Sequence, residues 1–336
     1  MKKLLITSAL ASSLIASVSL AEVKVGGGLE VTYGDKQTAA ASSQKYVGAA
    51  IGYEAELDIS ASAELSNGMK VTTHFEYISD GSTTDTAAGD ASTMPADLSL
   101  KVSSGNLTLY VGADDMEALD NNVVPKAYNL VEDNISVAGS STASYAGGGA
   151  VANSTSVGVQ YKTLGGAITY LYAPNVGQGS EIADNGTGNS GGSGYEVSYV
   201  GSPAENLSVI LGMGKKNNIL ASGLDTDTTV VGVAYNFGQF AVGASQTNID
   251  AGTAATEYDV TYFGATAAVS DALTVGIQRM IIDQASTGTD EETDQLEVAY
   301  NLGGMTVAAH YAKTSDAAFS SGSKGDAYGI TLKTSF

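Results

Sequence analysis

Histidine and cysteine usage decides early what chemistry this chain can carry. Only two histidines occur in its 336 residues, His74 and His310, and cysteine is absent. Without thiols there is no disulfide framework, no thiolate zinc site and no cysteine nucleophile. Serine is plentiful, so a Ser–His pair is the remaining nucleophilic option. His74, however, has no serine at a neighbouring position on the same face of its segment, and nothing resembles a nucleophile elbow. Gly26-Gly27-Gly28 is followed by no helical pattern, so it does not read as a phosphate-binding loop. Both histidines read as polar wall residues, and the chain as a non-enzyme.

The sequence does carry carboxylate. Its 36 acidic residues face 15 Lys and Arg, a net charge of −21, and that surface repels nucleic-acid phosphates. One group lies in the stretch 113–154, as Asp114, Asp115, Glu117, Asp120, Glu132 and Asp133 with the single base Lys126. A second is spaced at even positions in alternating segments, as Glu54, Glu56, Asp58, Glu76, with Glu196 and Glu297 in comparable settings. The third is Asp290, Glu291, Glu292 and Asp294. Carboxylate oxygens of this last group could hold Ca²⁺, but the spacing matches no defined calcium loop, so a solvated run is the better reading. Ca²⁺ at such acidic loops is the only cofactor the sequence leaves open. Fixed carboxylates in a confined space concentrate cations and penalise anions.

The elements that must position these groups are strands. From Val47 to Leu65 the odd positions are apolar or alanine, and the even ones are Gly, Ala, Ser or acid. Ser66-Asn67-Gly68 interrupts, and alternation resumes as Met69, Val71, Thr73, Phe75 and Tyr77. A period of two puts one set of side chains on one face, and Asn-Gly between such runs is a strong hairpin signal. Strands are expected at about 23–33, 46–65, 69–78, 97–102, 107–112, 155–162, 167–173, 194–200, 207–214, 228–236, 239–246, 256–269, 273–282, 293–302, 305–313 and 327–336. Short and long connections alternate, the long ones including 34–45, 113–154 and 283–292. Asn134–Ala138 passes as a strand by composition but would break that alternation, so it is assigned to a loop. The count is then sixteen, with both termini on the short-turn side. Short turns at one end and long loops at the other describe an outer-membrane β-barrel, closed because lipid tolerates no open edge.

Met1-Lys2-Lys3, the apolar run Leu4–Leu20 and Ser19-Leu20-Ala21 read as an export signal, 1–21, leaving 22–336 as one barrel domain. Four strands approach short turns with the same wording, ending in Tyr161, Tyr199, Tyr235 and Tyr300, which predicts a ring of phenols at one membrane interface. By parity Lys24, Lys70, Lys101, Lys162, Lys333 and His74 point inward with the acids of the second group, while the sole arginine, Arg279, points outward.

Three features carry a resemblance to a known family. These are Thr155-Ser156-Val157 through Tyr161 with Leu164-Gly165-Gly166, the turns Ala234-Tyr235-Asn236-Phe237-Gly238 and Ala299-Tyr300-Asn301-Leu302-Gly303, and the alternating end Tyr328, Ile330, Leu332, Phe336. The mature chain resembles the general (non-specific) trimeric porins of Gram-negative bacteria, particularly the α-proteobacterial branch. That resemblance implies a homotrimer in outer-membrane lipid and lipopolysaccharide, and an end strand read by the barrel-assembly machinery. It also implies a third loop folded inward, so that Asp114, Asp115, Glu117, Asp120, Glu132 and Asp133 would line a constriction. The chain departs from many such porins in lacking an arginine cluster on its wall. The expectation is a diffusion channel for small hydrophilic solutes, cation-preferring and without a cofactor. A substrate-specific channel on the same barrel and a non-channel surface adhesin are the alternatives.

Overall fold

The computed structural model describes residues 22–40, 43–82, 95–113, 116, 118–119, 123–127, 151, 155–174, 192–217, 225–252 and 257–336. The expected export signal and Asn134–Ala138 lie outside the described residues.

Sixteen strands follow one another around a closed antiparallel barrel. They are β1 (Glu22–Ala40), β2 (Ser43–Glu64), β3 (Lys70–Ser82), β4 (Pro95–Ser104), β5 (Leu107–Ala113), β6 (Ser156–Thr163), β7 (Gly166–Ala173) and β8 (Gly194–Ala204). The second half comprises β9 (Leu207–Lys216), β10 (Thr226–Asn236), β11 (Phe240–Asp250), β12 (Glu257–Ala268), β13 (Leu273–Gln284), β14 (Glu291–Asn301), β15 (Met305–Ser315) and β16 (Lys324–Ser335). The seam is a full ladder from Gly28↔Ser335 to Ala39↔Lys324. Phe336 and Gly27 extend it by exchanging backbone hydrogen bonds of 3.0 and 3.1 Å, and Thr32 Oγ1 meets Thr331 Oγ1 across it at 2.6 Å. Closure leaves the first and last strands with no exposed hydrogen-bonding edge.

The expected alternation sets the two faces. Val25, Ile59, Leu109, Leu211, Ile277 and Ile330 stand exposed on the outer skin, and such an apolar band belongs in lipid. Tyr161, Tyr235 and Tyr300 stand on the same outer face at the short-turn end, as the phenol ring requires. There Tyr199 donates its hydroxyl to the Leu164 carbonyl at 2.7 Å. The repeated Asn-x-Gly wording has a local cause. Asn236 Oδ1 accepts from Gly238 N at 2.8 Å and Asn301 Oδ1 from Gly303 N at 2.7 Å. The glycines take φ of 88° and 97°, a region costly for any residue with a Cβ.

Two expected connections are cut short by strand. The stretch 34–45 is not a long loop: β1 runs on to Ala40 and β2 starts at Ser43, still paired through Ala40↔Ser43. The loop 283–292 shortens likewise, because β13 reaches Gln284 and β14 begins at Glu291. Ladder hydrogen bonds here override a sequence with little alternation, a tertiary effect that propensity does not register.

Candidate functional site: a lumen with an inward-folded segment

Everything inside the barrel depends on what covers the inward positions. The described residues 118–119 and 123–127 of the third long connection lie on the inner wall, between β8 and β14. At its start the Ala118 N–H donates to Glu196 Oε1 on β8 at 2.7 Å. At its far end the Ala127 N–H donates to Glu297 Oε2 on β14 at 3.1 Å. Between these clamps Leu119 is 0% exposed, packed with Ala118, Ile210 and Val230. Val151, near the return of the connection, packs with Tyr110, Leu171 and Ala173, and Met116 packs against the same group.

The segment lies in a furrow made by glycines. A Cβ on Gly212 would come within 2.5 Å of Leu119 Cδ2, and one on Gly243 within 2.8 Å of Pro125 Cδ. On Gly276 it would meet Ala127 N at 2.9 Å, and on Gly264 it would overlap Val124. Successive strands therefore drop their side chains where the backbone of the segment passes.

This arrangement corrects the expectation for three acids. Parity makes Glu196 and Glu297 wetted lumen charges, yet both are buried, with the segment's backbone N–H groups as donors. The sequence places Glu291 in a solvated loop run, yet it is buried on β14 and accepts from Ala318 N at 2.7 Å. That bond ties down a 3-10 turn (Ala317–Phe319), whose Phe319 ring stacks on Tyr258 and packs with Val260, Met280 and Ile282. Three members of the acidic run, Glu291, Glu292 and Asp294, lie on a strand, where successive side chains face opposite ways. Asp294 faces outward in a two-bond pair with Arg279, Nε–Oδ1 2.6 Å and Nη2–Oδ2 2.7 Å.

The opposite wall, β1 to β4 with β16, carries most of the expected inward groups. Glu54, Glu56 and Asp58 line up on β2, and Gly28↔Glu56 and Glu30↔Glu54 set their neighbours on β1. Lys333 lies 3.3 Å from Glu30 and 3.9 Å from Glu56. His74 Nε2 lies 3.8 Å from Asp58 Oδ1, and Lys24 lies 3.4 Å from Glu22. Lys70 is the ladder partner of Glu64, Lys101 that of Thr72, and Lys162 stands exposed near the end of β6. Tyr328, Ile330 and Leu332 face outward, with Tyr328 donating to Asp35 at 2.9 Å, and Phe336 is 77% exposed. The six acids expected at the constriction, Asp114, Asp115, Glu117, Asp120, Glu132 and Asp133, lie outside the described residues.

Sequence reasoning missed Glu30, and it missed the apolar inward patches, one under the segment and one under Phe319 of the 3-10 turn. A signal for the patches was present. Val209-Ile210-Leu211, Val230-Val231 and Met280-Ile281-Ile282 are apolar on consecutive positions, the mark of a strand covered on both faces.

A closed barrel, oily outside and charged within, defines a transmembrane channel. A model of the Gram-negative porin family matches residues 7–315, and the chain belongs to that family. Among solved structures it is similar to the anion-selective porin from Comamonas acidovorans, at 17% identity and a TM-score of 0.66. It is also similar to a triple mutant of Rhodopseudomonas blastica porin, at 16% identity and a TM-score of 0.60. Each alignment covers 94% of this chain and 100% of the other. No curated protein matches the sequence. The chain is an outer-membrane diffusion channel and not an enzyme.

Proposed function

We propose that this channel passes small hydrophilic solutes and ions with a preference for cations, and that the loop 113–154 sets its bore. The observation that carries the charge preference is the row of Glu54, Glu56, Asp58 and Glu76 on β2 and β3. That wall lies apart from the strands β8 to β14 along which the described part of the segment runs. Two groups of fixed charge would then face one another, the wall acids and the loop acids Asp114 to Asp120. Cations gain from both and anions from neither. Lys333 offsets part of the row through Glu30 and Glu56. Glu196, Glu291 and Glu297 are occupied by backbone donors and add little to it.

The Comamonas porin named as anion-selective shares the barrel at 17% identity, which speaks to the fold alone. Selectivity resides in the side chains on the inner wall, so the same barrel accommodates either sign. The test is a planar-bilayer reversal potential across a KCl gradient. A potential of cation sign, reduced in Glu54→Lys/Glu56→Lys, supports the reading; anion preference in the unaltered protein overturns it. Exclusion of graded neutral polymers measures the bore.

Removal of residues 1–21 on export, assembly as a homotrimer, contact with lipopolysaccharide and recognition of the Tyr328–Phe336 end strand by the barrel-assembly machinery complete the proposal. Porins of this family are typically homotrimers. A mature amino terminus at Glu22 and a native mass of three chains are the corresponding measurements.

A further inference from the structure

One cluster on the channel wall is organised differently from the rest of the acidic row. Asp58 on β2 and Glu76 on β3 are direct ladder partners, and His74 sits two residues before Glu76 on the same face. One donor atom from each of the three side chains lies within 4.8 Å of the others, and all three residues are half-buried. Like charges directly opposed across a ladder are destabilising unless something sits between them. Among the described residues no lysine pairs with Asp58 or Glu76. Lys24, one strand away, lies against Glu22, and Lys333 lies against Glu30 and Glu56. The ladder partner of Asp58 on the other side is Gly26, which has no side chain of its own to set against the carboxylate.

We propose that Asp58, His74 and Glu76 form a binding site for a divalent transition-metal ion of the zinc class on the lumen wall. The donor set points to that class. An imidazole nitrogen with two carboxylates suits zinc, copper or nickel, whereas calcium and magnesium select oxygen cages. Three protein donors on a wall facing water leave the remaining coordination position to solvent, which a four-coordinate ion accepts. A rigid two-strand ladder presents all three from fixed backbone positions. A bound ion would place a fixed double positive charge in the middle of the acidic row, so occupancy would lower cation flow through the pore.

The experiment titrates ZnCl2 into the full-length mature protein in detergent, by calorimetry. The expected result is one saturable site per chain. It is weakened by more than about 10–100-fold, the scale that loss of even an outer-shell partner produces, in His74→Ala and in Asp58→Asn/Glu76→Gln. It is retained in His310→Ala. Absence of a saturable site, its persistence in His74→Ala, or equal affinity for CaCl2 overturns the proposal. X-ray absorption on the zinc-loaded unaltered protein needs no variant to fold: an imidazole nitrogen at about 2.0–2.1 Å supports the site, and an all-oxygen shell overturns it. Neither measurement involves conduction, so its failure leaves the cation-preference reading standing. Zinc block of the unaltered channel but not of His74→Ala then connects the site to flux.

Discussion

The two carboxylate clamps give the most direct test of how the internal segment is held. Glu196→Ala and Glu297→Ala each remove a buried acceptor from a backbone N–H, at 2.7 Å and 3.1 Å. A hydrogen bond to a charged partner contributes about 1.5–3 kcal/mol, and its loss leaves a buried donor unsatisfied. The clamps stand six strands apart, roughly 29 Å along the wall at about 4.8 Å per strand. At that separation their effects add, so the double variant costs the docked segment about 3–6 kcal/mol. Burial of Leu119 contributes about 1.5–3 kcal/mol on the same scale, so the clamps rival or exceed the main apolar anchor. At about 1.4 kcal/mol per decade, the docked-to-undocked ratio falls by roughly 10²–10⁴. The assay is single-channel conductance with open-channel noise, followed by trypsin digestion. Lys126 is the one base in the stretch 113–154, so cleavage after it reports release. The double alanine variant should be noisier, pass larger polymers and be cut there. Glu196→Gln/Glu297→Gln keeps an acceptor oxygen and should stay near the unaltered protein, which separates clamping from charge. Unaltered conductance, noise and trypsin resistance in the double alanine variant would refute the clamp.

Other outcomes follow from single contacts. Gly264→Ala puts a Cβ into Val124, so the strand stays paired while the segment is displaced; a cost of about 1–3 kcal/mol should appear as raised conductance, absent from Gly238→Ala at a turn. Glu291→Ala removes the acceptor of Ala318 N, which should quicken proteolysis around 317–319 without changing ion selectivity. The Arg279–Asp294 pair is exposed despite its two short bonds, so Arg279→Ala should leave the thermal unfolding midpoint essentially unchanged, and a clear drop would show that the outer pair bears on folding. Deleting Phe336 removes both backbone bonds to Gly27 at the seam, so the yield of assembled barrel, read by heat-modifiable gel mobility, should fall while unassembled chain accumulates.

How much of this was legible in advance follows from where the information lies. Facing is a local property: alternation around Ile59 or Ile330 says which side meets lipid, whatever the rest of the chain does, while strand number follows from the alternation of short and long connections along the chain. The end of β1 escaped because Gly34-Asp35-Lys36-Gln37 reads as turn chemistry. Only the partner strand, through Gly34↔Ala50 and Asp35↔Ala49, turns it into ladder. The constriction acids are a different matter, since position in the third connection suggested them and their placement lies outside the described residues.

The roles of Glu196 and Glu297 were not legible from the period at all, for a physical reason. Parity assigns an inward carboxylate to the lumen, but the lumen has two kinds of inward position, wetted and covered, and a residue's own strand does not distinguish them. The distinction comes from the neighbours of the covered positions. Ile210 and Val230 are apolar where the period demands polarity, and Gly212 and Gly264 are empty where it allows a side chain. An acid among such neighbours faces a backbone donor instead of water, because a buried carboxylate without a partner would not persist. Glu54, Glu56 and Asp58 have no such company: Gly52, Ser60 and Ser62 share their face of β2, and the run never becomes apolar on both faces. Lapses from alternation, rather than the alternation itself, therefore separate the acids that hold the inner segment from those left to meet passing ions.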